Sequence, residues 1–470
     1  MLSRSRTNPP PLMYSVDEVK QRECNVLIVG SGPAATAAAE QLYESSNATI
    51  VMVERGDLVT TTHLANVLSF KQRRSFVDLY GQAWDGDYEG GRLISGVGGR
   101  GIAAGGLLRR LDPEDLTSPG TEWPGDVAEE LAHYYEVAEE RRRVGIGVYP
   151  GPLQGQVLGR LQKRRAYTPP LGFDFTLGKT SYLHDSSVAR LWKLNLKDSL
   201  EKDSKRLLIV PNTVARRFVV KSGGVKSVEC YSRRSKQTVS LSARVVVCAA
   251  SAIESARLAL YSNIEPRAKA TGKYLADHIT SRQDFVVDPW SAGAEGEFEV
   301  LVPPAGASSD ERFQVQIFGG IREGKKLHFT MVGFAAMDAC EDSRVELSEK
   351  MDESGVPVAK VTATPTGGDE TRKKRMIDCM AEIAVAMGGA TSVRAVSEPL
   401  GAGYHEAGTL RMSSDPDRSV TNSCGRFRAV DNLYVADASV FPSVGVANPM
   451  LTVTALAYRQ ADKIIHRFGL

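Results

Sequence analysis

The sequence has few cysteines and few histidines, six and seven in 470 residues. No two cysteines stand at metal-ligand or C-x-x-C spacing, and they are too sparse for a disulfide scaffold. This argues against a zinc module and against a disulfide-stabilised fold. The start of the chain also lacks the apolar stretch of a signal peptide. We therefore expect a protein of a reducing compartment, the cytoplasm, without a metal site.

Long apolar runs and an excess of charge of one sign are missing as well. No window holds the roughly 18 consecutive apolar residues of a membrane span. The net charge is +2, so nothing favours nucleic acid as a partner. Hydrophobic residues make up 42% and charged residues 24% of the chain, the balance of an ordinary soluble protein. These totals exclude broad classes of partner and leave the function to the motifs.

The most informative stretch is NVLIVGSGPAATAAAEQL, from Asn25 to Leu42. A short apolar run predicts a buried parallel strand, and the alanine-rich segment after it predicts a helix. Between them lies a G-x-G-x-x-A turn, whose residues are Gly30, Gly32, Pro33, Ala34 and Ala35. In this pattern the first glycine makes the turn, the second lets the backbone approach a pyrophosphate, and the alanine lets the helix pack closely.

A second apolar run ends at Glu54, 24 residues after Gly30. A carboxylate at this distance can bind the two hydroxyls of an adenosine ribose, and the helix start offers free N–H groups to phosphates. The pattern therefore predicts a dinucleotide-binding site. We assign Arg55, the residue after Glu54, to this site as well. The alternative is a tight strand-to-helix turn without a ligand. The residues do not by themselves distinguish FAD from NAD.

A second glycine-rich stretch, ISGVGGRGIAAGGLL, begins at Ile94. It could be a flexible linker, but linkers are usually polar, whereas here valine, isoleucine and alanine alternate with the glycines. We interpret it as backbone packed against something flat and large, since missing side chains permit close approach.

Two segments near the C-terminus carry polar side chains that could do chemistry. His405 lies in YHEAGTLRM, and a single histidine beside a turn can also be purely structural. Asn448 precedes Pro449 at the start of the last predicted helix. Asparagine is a good N-cap and proline a good first helical residue, so Asn448 has a capping interpretation beside a functional one.

Taken together and in order, these segments resemble the glucose–methanol–choline (GMC) family of flavin oxidoreductases over most of the chain. The resemblance includes VGSGPAATAAA with VERG, GVGGRG, EWP, AASAIESARL, GKYLADH, the hairpin-like DSRVELSEKMDESGVPV, YHEAGTLRM and VADASVFPSVGVANPMLT. The AASA segment replaces the AAG common in the family, so a slightly different turn is expected there.

The resemblance implies an enzyme that oxidises an alcohol. His405 would accept the hydroxyl proton while hydride moves to flavin N5, and Asn448 would orient the same hydroxyl. An imidazole with a pKa near neutrality suits this role. The His/Asn pair is similar to the pyranose oxidase branch, which favours a secondary hydroxyl of a sugar, glycoside or related metabolite. A flavin-containing lyase, a non-sugar alcohol (sterol, aryl or polyketide) and a non-catalytic role for the flavin remain as alternatives.

The resemblance also implies FAD as the cofactor. Ala103 stands where relatives can carry a flavin-linked histidine, so non-covalent FAD is expected. Glu54 would bind the ribose and Val214 would lie by the adenine. The other residues assigned to the cofactor site are Gly98, Gly99, Gly101, Asp437, Ala438, Pro449 and Met450.

The expected fold is α/β, with a Rossmann-like FAD-binding domain and a substrate domain built on an antiparallel sheet with helices. We predict the FAD-binding domain in three segments, 20–118, 195–282 and 400–470. The predicted substrate regions are a helical one at 119–194 and the substrate-binding domain at 283–399. The electron acceptor (oxygen, a quinone or a protein) and the oligomeric state are left open.

Overall fold

The computed structural model describes most of the chain, and the fold is given for that part. The described residues are 13–67, 76–77, 81–118, 120–147, 149, 151–177, 181–200, 205–290, 296–322, 326–390, 392 and 394–470.

A five-stranded parallel sheet forms one half of the molecule. Its strands lie in the spatial order Leu207–Val210, Ile50–Val53, Val26–Val29, Val245–Cys248 and Leu433–Val435. Every residue of these strands is buried, as the apolar runs predict for strands covered on both faces. The strands come from three stretches far apart in the chain, which confirms a Rossmann-like α/β arrangement.

Long helices pack beside this sheet and against one another. The first glycine motif opens the helix Pro33–Ser45, which packs on the last helix, Met450–Phe468, and Gly125–Arg141 packs on that last helix in turn. The fully buried Arg459 of the last helix connects it to Gly125–Arg141, because its Nε lies 2.7 Å from a carboxylate oxygen of Glu130.

A five-stranded antiparallel sheet forms the other half. Its spatial order is Glu297–Val302, Phe313–Arg322, Lys326–Ala336, His278–Val287 and Val396–Ser397. The helix Gly367–Ala386 packs against it. This is the predicted antiparallel sheet with helices, although its strand His278–Val287 begins inside the predicted segment 195–282. The exact residue limits of the five segments stay a prediction.

The predicted hairpin at 342–358 is present as the strands Arg344–Met351 and Pro357–Thr362, with Asp85–Gly86 added in parallel. A second antiparallel unit contains Thr213–Lys221, Gly224–Ser232 and Thr238–Leu241. The remaining strands are Gly81–Gln82, Leu93–Ile94, Gly145–Ile146, Pro170–Leu171, Phe173–Leu177 and Ser181–His184. The remaining α-helices are Val16–Val19, Pro113–Leu116, Leu153–Arg160, Ser187–Leu200 and Ala252–Tyr261. Among the described residues, no helix has both the length and the apolarity needed to cross a bilayer.

Candidate active site

One large cavity, of about 370 Å³, opens at the carboxyl ends of the parallel strands and extends to the antiparallel sheet. Ligands of open α/β sheets bind at this edge, because the strand-to-helix loops converge there. All the site residues predicted from the sequence line the cavity except Ala35 and Gly98. Ala35 is fully buried within its helix, which agrees with a packing role.

The first glycine turn is shaped by its neighbours. Gly30 has φ +103°, and a Cβ there would lie 2.3 Å from the carbonyl oxygen of Ala249 on the adjacent loop. A side chain at this position is therefore excluded by both backbone conformation and space. At Gly32 an added Cβ would meet nothing within 4 Å, so the helix start is open towards the cavity.

Glu54 lies at the end of its strand as predicted and is buried against this turn. It accepts hydrogen bonds from the hydroxyl of Ser31 (2.6 Å) and the N–H of Gly56 (2.8 Å). Burial raises the pKa of the Glu54 carboxyl, and these hydrogen bonds oppose the rise. The fixed side chain lines the cavity, so it can present its carboxylate to a ribose.

The second glycine-rich stretch forms the adjoining wall. It contains the 3-10 turn Gly99–Ile102, and Gly99, Gly101 and Ala103 line the cavity. Gly98 lies behind this wall with φ +97°, and its N–H donates to the Ser31 hydroxyl at 3.0 Å. The backbone is thus packed closely against the first glycine turn, and its assignment as a mere linker is wrong.

The AASA segment keeps a glycine-like turn despite its serine. Ser251 has φ +89° and ψ +163°, a region that is nearly restricted to glycine and costs ~1–3 kcal/mol for other residues. Its N–H donates to Asp437 Oδ2 at 3.1 Å. Serine therefore occupies this conformation at the cost of strain, and the slight difference from the family's usual turn stays a prediction.

Asp437 is a well-satisfied carboxylate at a strand end. Besides Ser251, it accepts hydrogen bonds from the hydroxyl of Ser255 and from the N–H and hydroxyl of Ser439. Burial raises the pKa of the Asp437 carboxyl, while these donors oppose the rise. The side chain thus connects the loop at Ser251 to the turn that follows the last parallel strand, and Asp437 and Ala438 line the cavity.

His405 and Asn448, 43 residues apart, meet at the cavity wall, with His405 Nε2 and Asn448 Nδ2 separated by 3.2 Å. Asn448 Oδ1 accepts a hydrogen bond from Gln314 Nε2 at 2.7 Å. The last helix begins at Met450 with Pro449 as its N-cap and without a side-chain cap. The capping interpretation of Asn448 is therefore wrong, because its amide is engaged by His405 and Gln314.

Three polar residues of this site were not predicted from the sequence. The buried His278 lies 2.8 Å from His405, Nδ1 to Nδ1, and 2.8 Å from the carbonyl oxygen of Gly445 through Nε2. Asp277 accepts the backbone N–H groups of His278 (2.6 Å) and His405 (3.1 Å). Gln314 is the third. The GKYLADH segment was the available signal for Asp277 and His278; nothing local marked Gln314.

The electrostatics of this cluster favour an uncharged His405 ring. Burial, the neighbouring His278 and the Arg100 guanidinium lower the pKa of His405 well below its usual value, rather than leaving it near neutrality as expected. Burial also lowers the pKa of His278 to about 4. Burial and the nearby Glu406, which forms an ion pair with Arg100, raise the pKa of Asp277 to about 7. A neutral imidazole is the form that can accept a proton.

The cavity fits a dinucleotide cofactor on two independent observations. The first is the glycine cradle, by which we mean the two glycine-rich turns at Gly30, Gly32, Gly99 and Gly101; side chains at these positions would fill it. The second is a set of buried polar atoms that find no hydrogen-bond partner within the described part of the chain, including Ser251 Oγ and Arg100 Nη1. Both residues line the cavity, so a bound polar group would satisfy them.

The comparisons with known proteins agree with this site. The family model described as GMC oxidoreductase matches residues 340–457, which include His405 and Asn448. This part of the chain is therefore similar to the C-terminal domain of GMC oxidoreductases. Members of this family are FAD enzymes that act on CH–OH groups.

Curated relatives align over nearly the whole length of the chain. It is 28% identical to the 6'''-hydroxyparomomycin C oxidase of Streptomyces lividus, over 94% of this chain and 91% of the relative. It is 26% identical to the C-glycoside 3-oxidase of Arthrobacter globiformis, over 94% of each chain. Among solved structures, pyridoxine 4-oxidase from Mesorbium loti has the same fold, with a TM-score of 0.70 and 16% identity over 94% of this chain and 99% of that one.

Proposed function

We propose that this protein is a GMC oxidoreductase that oxidises a hydroxyl group of a sugar, glycoside or related metabolite, with His405 as the base and Asn448 as the orienting group. The observation that carries the proposal is that one cavity is lined both by the two glycine-rich turns with Glu54 and by the His405–Asn448 pair. When bound there, FAD supplies the acceptor for the hydride that leaves the alcohol carbon.

His405 and Asn448 have different roles at the substrate hydroxyl. The neutral His405 ring takes the hydroxyl proton, which is the usual task of a positioned histidine. Asn448 has no basic atom, so its amide orients the hydroxyl without competing for the proton. Gln314 fixes the amide by occupying Asn448 Oδ1.

The wall contributed by the antiparallel sheet favours a substrate with several hydroxyl groups over a sterol or an aryl alcohol. Gln316 lines the cavity, and its Nε2 donates to Glu299 Oε1 at 2.5 Å. Tyr149 donates to the other oxygen of Glu299 at 2.8 Å. This leaves Gln316 Oε1 as an acceptor for a substrate hydroxyl. The names of the aligned relatives, an aminoglycoside oxidase and a C-glycoside oxidase, point the same way.

Non-covalent FAD is part of the proposal. Within the described residues that line the cavity, His405 is the sole histidine and no cysteine is present, and Ala103 has no atom that could bond to a flavin. Acid precipitation of the holoenzyme should release all the flavin into the supernatant, and yellow colour retained in the pellet would contradict this part.

The proposal is tested by anaerobic titration of the holoenzyme with sugars, glycosides, sterols and aryl alcohols, while the flavin absorbance is followed. A sugar or glycoside should bleach the flavin, and bleaching also excludes the lyase alternative. Bleaching by sterols or aryl alcohols alone would overturn the substrate class, and no bleaching by any alcohol would overturn the redox function. Admission of air afterwards shows whether oxygen accepts the electrons.

A further inference from the structure

A continuous row of hydrogen bonds crosses the site and ends at two groups whose roles are fixed. At one end Arg109 Nη1 lies 3.4 Å from Gln314 Oε1, and a guanidinium can only donate. At the other end His278 Nε2 lies 2.8 Å from the carbonyl oxygen of Gly445, which can only accept. These two ends determine the direction of every hydrogen bond between them.

From the Gly445 end, the proton positions follow one by one. His278 Nε2 must carry a hydrogen to donate to the carbonyl. Because the buried ring is neutral, its Nδ1 then carries a lone pair and accepts from His405 Nδ1–H across 2.8 Å. His405 in turn is left with a lone pair on Nε2, which accepts from Asn448 Nδ2 at 3.2 Å.

From the Arg109 end, the same assignment is reached independently. Gln314 accepts through Oε1, so its Nε2 donates to Asn448 Oδ1 at 2.7 Å. The Asn448 NH₂ group is thereby directed at His405 Nε2, which must be an acceptor. All five hydrogen bonds run in one direction, and the imidazole tautomers are assigned by their partners.

Resting on the proposed function, we propose that His278 is a positioning residue, which holds His405 in the Nδ1–H tautomer so that Nε2 keeps its lone pair. The substrate hydroxyl then replaces the Asn448 N–H as the donor to that lone pair. Without an acceptor at His278 Nδ1, the His405 ring can place its hydrogen on Nε2, where it blocks proton acceptance. His278 also orients the ring, since the two imidazoles meet edge to face at an interplanar angle of 87°.

The hydrogen bond between His405 Nδ1 and His278 Nδ1 is retained after proton transfer. The substrate hydroxyl proton goes to His405 Nε2, and the resulting imidazolium donates a charge-assisted hydrogen bond from Nδ1 to the His278 lone pair. The proton count balances, because His278 gains no net proton and its Nε2–H stays on the Gly445 carbonyl.

Two substitutions of His278 distinguish the loss of its hydrogen-bond acceptor from the loss of its imidazole ring. His278→Leu removes the acceptor at similar size, and we expect kcat for flavin reduction to fall ~10–100-fold, as for other orienting partners, with KM little changed. His278→Asn retains an oxygen near the Nδ1 position and should recover most of the rate. His466→Gln, at an exposed histidine, is the control for histidine removal elsewhere.

The tautomer itself is read from ¹⁵N spectra of the histidine-labelled holoenzyme, with His405→Gln used to assign the His405 signals. Hydrogen on Nδ1 of His405 in the wild type and in His278→Asn, and its shift to Nε2 in His278→Leu, would support the proposal. It is overturned by hydrogen on Nε2 in the wild type, by an unchanged tautomer or full rate in His278→Leu, or by equal losses in both variants.

The spectrum needs no substrate, so it also separates the two proposals. If no alcohol bleaches the wild-type flavin, the proposed function fails while the tautomer result still decides the role of His278. If His278→Leu does not take up FAD, the wild-type spectrum alone remains decisive.

Discussion

The buried His278 should contribute a loss of stability on acidification, and the size of this contribution can be worked out. An unfolded histidine has a pKa of about 6.5, and in the folded protein burial lowers that of His278 to about 4. Between these values the unfolded chain binds more protons, so the stability falls as the pH falls. From pH 7 to pH 5 the loss from His278 is about 2 kcal/mol.

Asp277, directly beside this ring, has the opposite effect. Its folded pKa is raised to about 7, above the unfolded value of about 3.9, so its contribution to stability is full at low pH and is lost as the pH rises towards 7. The two effects largely cancel in the wild type, and a single melting curve against pH would hide both. A difference between wild type and variant removes the common contribution of Asp277.

The informative perturbation is therefore His278→Asn, which cannot be protonated. Relative to the wild type, this variant should gain about 2 kcal/mol on going from pH 7 to pH 5. A chain of 470 residues loses roughly 1 kcal/mol of unfolding free energy per degree near its midpoint. The difference in Tm between variant and wild type should then change by about 2 °C.

The assay is thermal unfolding of both FAD-saturated proteins at the two pH values, with a His466→Asn variant as the exposed control. The control should show the same pH response as the wild type. A difference in Tm that is equal at both pH values would refute the reasoning, because it would mean that His278 titrates alike in the folded and unfolded chains.

Three other substitutions test the site. His405→Ala should slow anaerobic flavin reduction by ~10²–10⁴-fold, the usual contribution of a positioned base, and stopped-flow absorbance that shows the wild-type rate would remove the ring from the mechanism. Asn448→Ala should slow the same step but leave helix stability nearly unaltered, since Asn448 does not cap the last helix; a drop in Tm with normal turnover would restore the capping role. Ser251→Gly should raise the stability by about 1 kcal/mol, because relief of a strained backbone of ~1–3 kcal/mol exceeds the extra entropy of an unfolded glycine. Calorimetry of the holoenzyme checks this last change, and a lower Tm would show that the turn at Ser251 is not strained.

The glycine turn and Glu54 could be predicted because their geometry is local. The strand, turn, helix and second strand follow one another within 30 residues, and each has its own apolar or small-residue pattern. The same locality predicted the hairpin that begins at Arg344. For such units the neighbouring residues in the chain supply nearly all the constraints.

The role of Asn448 could not be settled in this way. Its sequence context supports a helix cap as well as a functional role. The contact with Gln314, which lies 134 residues earlier on a strand of the other sheet, distinguishes the two roles. Gln314 itself carried no signal, because an amide on a strand is informative only when its partner is known. The low pKa of His405 was likewise unpredictable, since burial arises from the packing of both halves of the molecule.

The sequence by itself determined the parallel sheet, the glycine cradle, the acid at the end of the second strand and the candidacy of His405 and Asn448, because strand and helix periodicity and turn chemistry act over short distances. Only the tertiary structure decided that His278, Asp277 and Gln314 join them, and which nitrogen of His405 faces the cavity. Hydrogen-bond direction depends on partners more than 100 residues apart, and those meet only when the two sheets close around one site.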